Sequence, residues 1–350
     1  MMKMASLMDY QQYAQDYLPK RLYSQLEDGA GDQVTKQANQ EDFVRIKMKQ
    51  RGMANMKYFK GPQTTILNGS PVSTPIGLGP LPMQGLYCYE GEVAAAQAAR
   101  DLKIVYTLHS ARSSKPIDEI LAKSEGGYKL LMVSLSQNNQ ERQQIIEKYG
   151  GHKDIIGIVI NLAVECQIDS FVRSTVTNEK DIYMVKEQQA AFTLEDLKSL
   201  KKQCEGIKKP LVVRGIMNKQ DALLAAQNGA NAIWISNQGG KGLDTQPSAI
   251  SVLKSITKTL RQQNFSNVQI FIDGGFRRGT EVMKALALGA NAVFLCRPIA
   301  YALAHKGSEG IKEMFEMLNE ELKLSMALTD VMDVSKITED QVIHSFRPKL

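Results

Sequence analysis

From position 71 onward the chain repeats one pattern, a short continuous apolar run followed by a stretch with helical spacing. The apolar runs are 75–78, 104–108, 130–135, 155–160, 211–214, 232–236, 268–272 and 292–295. Runs of this length without polar alternation suit strands buried on both faces. Between them, 91–100, 117–122, 140–148, 193–203, 219–228 and 280–288 carry helical spacing. Eight strand–helix units in a row predict an α/β fold of the closed (β/α)8 kind, a TIM barrel, not an open sheet. An internal echo agrees: Gly229-Ala230-Asn231-Ala232 and Gly289-Ala290-Asn291-Ala292 each precede a strand, about two βα units apart.

Outside the repeat the pattern is helical. Positions 9–26 place Tyr13, Tyr17 and Leu18 near helical spacing, with Pro19 as an interruption and 29–32 as a turn. A second helical stretch is expected over 35–57, around Phe43, Ile46 and Met48, so that residues 1–70 form a helical lid. Positions 310–326 predict a final surface helix with Glu313, Glu316 and Glu320 on one side. The stretch 170–189 is the least patterned and is expected to be a loop over the barrel mouth. No composition shift marks a linker. We therefore read 1–350 as one domain, with the barrel over 71–305 and a C-terminal helix and tail over 306–350.

Composition narrows the function classes. The net charge of +6 is scattered, without basic blocks or interleaved aromatics, which argues against nucleic acid. Cys88, Cys166, Cys204 and Cys296 lack CxxC spacing and read as free thiols. The four histidines form no ligand-spaced pair, so no metal site is expected. No apolar run reaches membrane-spanning length, and the N-terminus has neither a signal core nor an Arg-rich transit pattern. The terminal Pro348-Lys349-Leu350 is similar to the S-K-L type of peroxisomal address, which sets a peroxisomal against a cytoplasmic location and leaves a mitochondrial one open.

The candidate chemistry gathers at the last two strand ends. The stretch Ile272-Asp273-Gly274-Gly275-Phe276-Arg277-Arg278-Gly279 and the later Cys296-Arg297-Pro298 have one grammar: strand, turn, arginine. Glycine lets backbone N–H groups approach a ligand, and arginine offers a fork suited to phosphate oxygens. Two such ends in succession point to the phosphate site after strands 7 and 8 of a barrel.

The run from Asp273 to Thr280, then Lys284-Ala285-Leu286-Ala287-Leu288-Gly289-Ala290, then Arg297-Pro298, resembles the FMN-dependent α-hydroxy-acid oxidases and dehydrogenases, the family of glycolate and lactate oxidases. The resemblance extends from Asp9-Tyr10 to the C-terminus. It implies a flavin at the barrel mouth, held by Asp273, Gly274, Gly275, Arg277, Arg297 and the backbone of Cys296 on the phosphate side. On the ring side it implies Gly79, Pro80, Leu81, Arg214 and Ser236.

The same resemblance implies losses. The family's base lies in Ser-Asn-His-Gly-Gly-Arg-x-Leu-Asp; here the stretch reads Ser236-Asn237-Gln238-Gly239-Gly240-Lys241-Gly242-Leu243-Asp244. A carboxamide cannot carry the proton, and Lys241 keeps charge but not the bidentate fork that clamps a substrate carboxylate. The family's substrate tyrosines fall at Gln25 and Ser134, a second arginine near Ile168 or Asp169, and the aspartate that orients the histidine at Leu162. Polar partners of the flavin ring fall at Met132, Ile160 and His109, which implies FMN binding weakened or lost on the ring side and a mouth partly filled by side chains. His109 is the one imidazole placed to replace the base; a satisfied or solvent-facing histidine is the plainer expectation.

These features predict a degenerate family member without a catalytic residue, serving a structural or interaction role. Its expected ligand is FMN, another phosphate-bearing molecule, or none. Its expected partner is a further copy of itself or a larger assembly. Two other readings stay open: an active FMN oxidoreductase with an altered base or substrate, and a sensor of phosphorylated metabolites.

Overall fold

The computed structural model describes residues 4–52, 59, 61–134, 137–162 and 192–344. Eight parallel strands close into a barrel: β4 (Ile76–Leu78), β5 (Tyr106–His109), β6 (Lys129–Ser134), β7 (Ile155–Asn161), β8 (Leu211–Ile216), β9 (Ala232–Ile235), β10 (Gln269–Asp273) and β11 (Ala292–Leu295). Every apolar run read from the sequence is one of them. Alternation along each strand divides two packed layers. Leu131, Val133, Ile158, Ile160, Val213 and Ile235 face the surrounding helices. Leu130, Met132, Val159, Val212, Trp234, Phe271 and Phe294 fill the interior. The Trp234 and Phe294 rings lie 4.1 Å apart, with Phe271 5.4 Å from Phe294, so the barrel is plugged just beneath its mouth.

Two features of the first 70 residues differ from the expectation. The segment 46–48 is not helical. It is strand β1 (Ile46–Met48), paired antiparallel with β12 (Val342–His344). Its local spacing is compatible with a helix, and a partner nearly three hundred residues away decides otherwise. Strands β2 (Thr64–Ile66) and β3 (Ser70–Val72) form a hairpin that seals the bottom of the barrel with Ile66, Leu67 and Val72.

Of the N-terminal helices, Leu7–Tyr17 packs on the C-terminal helix through Tyr10 and Tyr13 against His305, Lys20–Glu27 lines the mouth, and Val34–Glu41 meets the turns beside it. Asn39 and Asn237 exchange amide hydrogen bonds at 2.9 Å in each direction, and Asp244 accepts the backbone N–H groups of Asp32 and Thr35. The lid is thus pinned to the loop that follows β9. The C-terminal helix packs inward along one face, as expected, but is longer than the 310–326 read from the sequence. It runs Arg297–Leu328, is broken only at Lys306 and Gly307, and buries Ile311, Met314, Phe315, Leu318 and Leu322. Glu316 and Glu320 occupy its exposed face. The helix Ala249–Gln262 was not anticipated, although Ser248 caps it and Ile250, Leu253, Ile256 and Leu260 give it a buried stripe. The terminal tripeptide, the loop 170–189, Cys166, Ile168 and Asp169 lie outside the described residues.

Candidate functional site

A cavity of about 530 Å³ opens at the C-terminal ends of the strands, beneath the N-terminal helices. The residues that line it include six cationic ones, Arg21, Arg112, Arg214, Lys241, Arg277 and Arg297, against the acidic Asp28 and Asp273. Such an excess of positive charge in a concave site favours an anionic ligand.

The anion end is built by two βα turns. After β10, Gly274 and Gly275 adopt φ of +106° and +86°, a region that favours glycine. A Cβ on Gly275 would stand 1.8 Å from the carbonyl oxygen of Asn39, so this turn and the lid can pack only through glycine. Glu281, in the first turn of the helix Gly279–Ala287, accepts the backbone N–H groups of Arg277 and Arg278 at 2.6 and 3.0 Å and fixes the turn. Arg277 is buried, donates Nη1–H to the Phe276 carbonyl and lies 5.9 Å over the Tyr301 ring. Its Nε has no hydrogen-bond partner among the described residues. After β11, Arg297-Pro298 opens the last helix, with proline where its missing N–H costs nothing. Arg297 donates to the carbonyls of Leu26, Gly239 and Asp28.

The inner end is apolar with a few fixed polar groups. Pro80, Leu81, Met132, Phe294 and Cys296 line it. Arg214 donates to both Asp273, at 2.8 Å, and Asn161, at 2.8 Å; Ser236 donates to the other oxygen of Asp273 at 2.7 Å. Burial, then the charge of Asp273, pushes the Cys296 thiol up to about 12. His109 ends β5, lines the cavity, is 5 % exposed and has an Nδ1 without a partner among the described residues. Burial, then Arg112 and Arg214, lowers its pKa to about 3.

Gln238 sits at the cavity edge with φ of +54°, its backbone N–H donating to Ser236 Oγ. Lys241 does not project a free charge into the cavity. Its Nζ donates to the carbonyls of Gln25 at 2.7 Å and Asp28 at 2.9 Å, at the C-terminal end of the helix Lys20–Glu27. Burial, then Arg297, lowers its pKa to about 8.

Most of the residues singled out in the sequence meet at this cavity: Pro80, Leu81, Arg214, Gln238, Lys241, Asp273, Gly274, Gly275, Arg277, Cys296 and Arg297. Gly79 and Ser236 stand behind the lining. The Gly79 N–H is bonded to the Leu295 carbonyl at 2.6 Å, and Ser236 acts on Asp273. Ile160 faces the helices, not the cavity. Leu162 is one place beyond the residue that enters it: β7 presents Asn161, and strand alternation from Val159 is the signal that finds it. Arg112 and Arg21 were not anticipated, because nothing in their local sequence distinguishes them from solvated arginines. The expected filling of the mouth is partial, since Met132 and His109 line the cavity and leave it open. Among the described residues no group of three metal-ligating side chains occurs, and no helix is long and apolar enough to cross a membrane.

Comparison with known proteins places this geometry among flavin oxidases. A family model described as FMN-dependent dehydrogenase matches residues 14–161 and 158–344. A 2-hydroxyacid oxidase of Dictyostelium discoideum is 31 % identical over 95 % of this chain and 88 % of its own length. A peroxisomal (S)-2-hydroxyacid oxidase of Arabidopsis thaliana is also 31 % identical, over 95 % of each chain. Among solved structures, mandelate oxidase with 3,3-difluoro-2-hydroxy-3-phenylpropionic acid superposes with a TM-score of 0.85 at 26 % identity, covering 97 % of this chain and 98 % of that one. A mutant flavocytochrome b2 with pyruvate bound gives 0.89 at 25 % identity, covering 98 % and 87 %.

Proposed function

Since the chain belongs to the FMN-dependent dehydrogenase family, we propose that its cavity binds FMN, or a similar phosphate-bearing ligand, without oxidising 2-hydroxy acids. The residues fit such a ligand. Gly274, Gly275, Arg277 and Arg297 would hold the phosphate, the Arg277 Nε supplying a buried donor that still lacks an acceptor. Pro80, Leu81, Met132 and Phe294 would pack against the ring, with Arg214 as the positive charge beside it. When bound, the flavin is the group able to accept a hydride equivalent. Met132 offers its edge no hydrogen bond, and each polar ring atom left so costs about 1–3 kcal/mol. The grip on the ring is accordingly weaker than the grip on the phosphate.

The observation that carries the second half of the reading is Gln238 at the cavity edge where the family has its histidine base. No inner group replaces it. His109 stays neutral with a pKa near 3, Asp273 is committed to Arg214 and Ser236, and the Cys296 thiol is pushed up to about 12. Lys241 is held by two carbonyls of the lid and does not present the charge that would clamp a substrate carboxylate.

The test is spectroscopic. FMN added to the purified protein should give a saturable change in its visible spectrum or fluorescence. Anaerobic glycolate, lactate or mandelate should then leave the flavin oxidised. Rapid bleaching by any of these acids would refute the non-catalytic reading, and a failure to bind FMN or phosphate would refute the ligand. A peroxisomal location is consistent with the named location of the Arabidopsis relative and with the terminal Pro348-Lys349-Leu350. Fusing the last ten or so residues to a fluorescent reporter checks it.

A further inference from the structure

Glu27 is the last residue of the helix Lys20–Glu27 and is only 6 % exposed. A buried carboxylate at this end of a helix opposes the macrodipole, whose negative pole lies there. Its presence therefore requires compensation from elsewhere, and the direct compensation comes from Tyr301, Gln11 and Lys36, next to the arginines and Lys241 of the cavity. The Tyr301 hydroxyl donates to one carboxylate oxygen. Gln11 donates to the other at 3.1 Å, and the Lys36 ammonium stands 3.7 Å from it. Tyr301 in turn carries the Arg277 guanidinium over its ring. The backbone around Glu27 holds the remaining cations: the Leu26 carbonyl accepts from Arg297, and the carbonyls of Gln25 and Asp28 accept from Lys241. One turn of the lid thus touches, directly or through Tyr301, every cation of the anion end.

We propose that Glu27 is a built-in counter-anion, which neutralises the Arg277–Arg297–Lys241–Lys36 cluster in the ligand-free protein and lowers its affinity for an anionic ligand. The proposal rests on the anion-binding reading above and adds its control. Four cations gathered in a low-dielectric recess repel one another, and a fixed carboxylate offsets this repulsion. An arriving phosphate meets the attraction of the cations less the repulsion of Glu27. The carboxylate lies behind Tyr301 and is not part of the cavity wall, so it acts through its charge and not by blocking the site. The burial of Lys36, whose ammonium is pushed below the ordinary lysine range by desolvation and is held up first by Glu27, fits the same arrangement.

Glu27→Gln tests this, because the carboxamide oxygen still accepts from Tyr301 while the charge is gone. FMN affinity by fluorescence quenching and inorganic phosphate affinity by calorimetry are measured at low ionic strength, with thermal melting in the presence and absence of phosphate. The expected result is binding tighter by on the order of tenfold, a lower melting temperature without ligand, and a deficit that closes at saturating phosphate. Glu27→Asp keeps the charge and should leave affinity near that of the wild type. Should Glu27→Gln not fold, Glu27→Met removes the charge with similar volume and gives the same comparison. Equal or weaker binding by a folded, charge-free variant overturns the proposal while the ligand reading stands. Binding only by the charge-free variant supports it. No binding by either protein overturns both.

Discussion

Arg277 places a polarised N–H in a buried wall with no acceptor among the described residues, while its ring contact with Tyr301 fixes the guanidinium plane. Leaving such a donor unmet costs about 1–3 kcal/mol, and an anion that meets it recovers that cost and adds a charge-assisted bond. Arg277→Ala should therefore weaken FMN and phosphate binding by about 10- to 100-fold, as read by titration calorimetry, without loss of the folded state. His109 makes a different prediction. Its folded pKa, near 3, lies below its ordinary value of 6.5. As pH falls through that window the unfolded chain takes up a proton that the folded protein refuses, so stability drops with falling pH. Urea midpoints at pH 7, 5 and 4 should decline for the wild type, and His109→Gln should flatten that decline. At the proposed base position, Gln238→His introduces an imidazole; any gain in flavin reduction by lactate should not exceed about 10²–10⁴, and Lys241, bound to lid carbonyls, should limit it further.

At the scale of the elements, the junction between lid and barrel is the most constrained place. Gly275 meets the Asn39 carbonyl where a Cβ would be, and Asn39 is 2 % exposed with its amide paired to Asn237. Gly275→Ala must displace the helix Val34–Glu41 or distort the turn after β10. It should destabilise the protein by more than about 1 kcal/mol, which chemical denaturation would show, and weaken ligand binding in parallel. If only stability changed, the lid would not be contributing to the site. This junction was invisible in the sequence, since Asn39, Asn237 and Gly275 are far apart in the chain. Strand β1 was hidden for the same reason: its hydrogen bonds run to Val342–His344. By contrast the barrel strands were legible, because burial on both faces forces a continuous apolar run that no surface helix shows. The helix Ala249–Gln262 carries a buried stripe, Ile250, Leu253, Ile256 and Leu260, between two stronger strand signals.

For the molecule as a whole, the ligand should report on the closed arrangement of lid and barrel. A ligand at a hundred times its dissociation constant adds about 2.7 kcal/mol to stability, so FMN should raise the melting temperature by several degrees. The sequence by itself determined the barrel and the family, and it singled out the residues for which an anion site is proposed. It did so because strand periodicity, paired glycines and strand-end arginines are local patterns with local physical causes. The proposal that the family's base is replaced at Gln238 likewise rests on the identity of one side chain at one motif position. Only the tertiary structure decided what the remaining charges do. Lys241 and Arg297 hold lid carbonyls, Asn161 and not Leu162 enters the cavity, and Glu27 comes to lie behind Tyr301 among the cations. Those outcomes depend on which side chains the closed barrel and its lid bring within a few ångströms, and electrostatic interaction is set by that separation and by burial, neither of which a linear sequence contains.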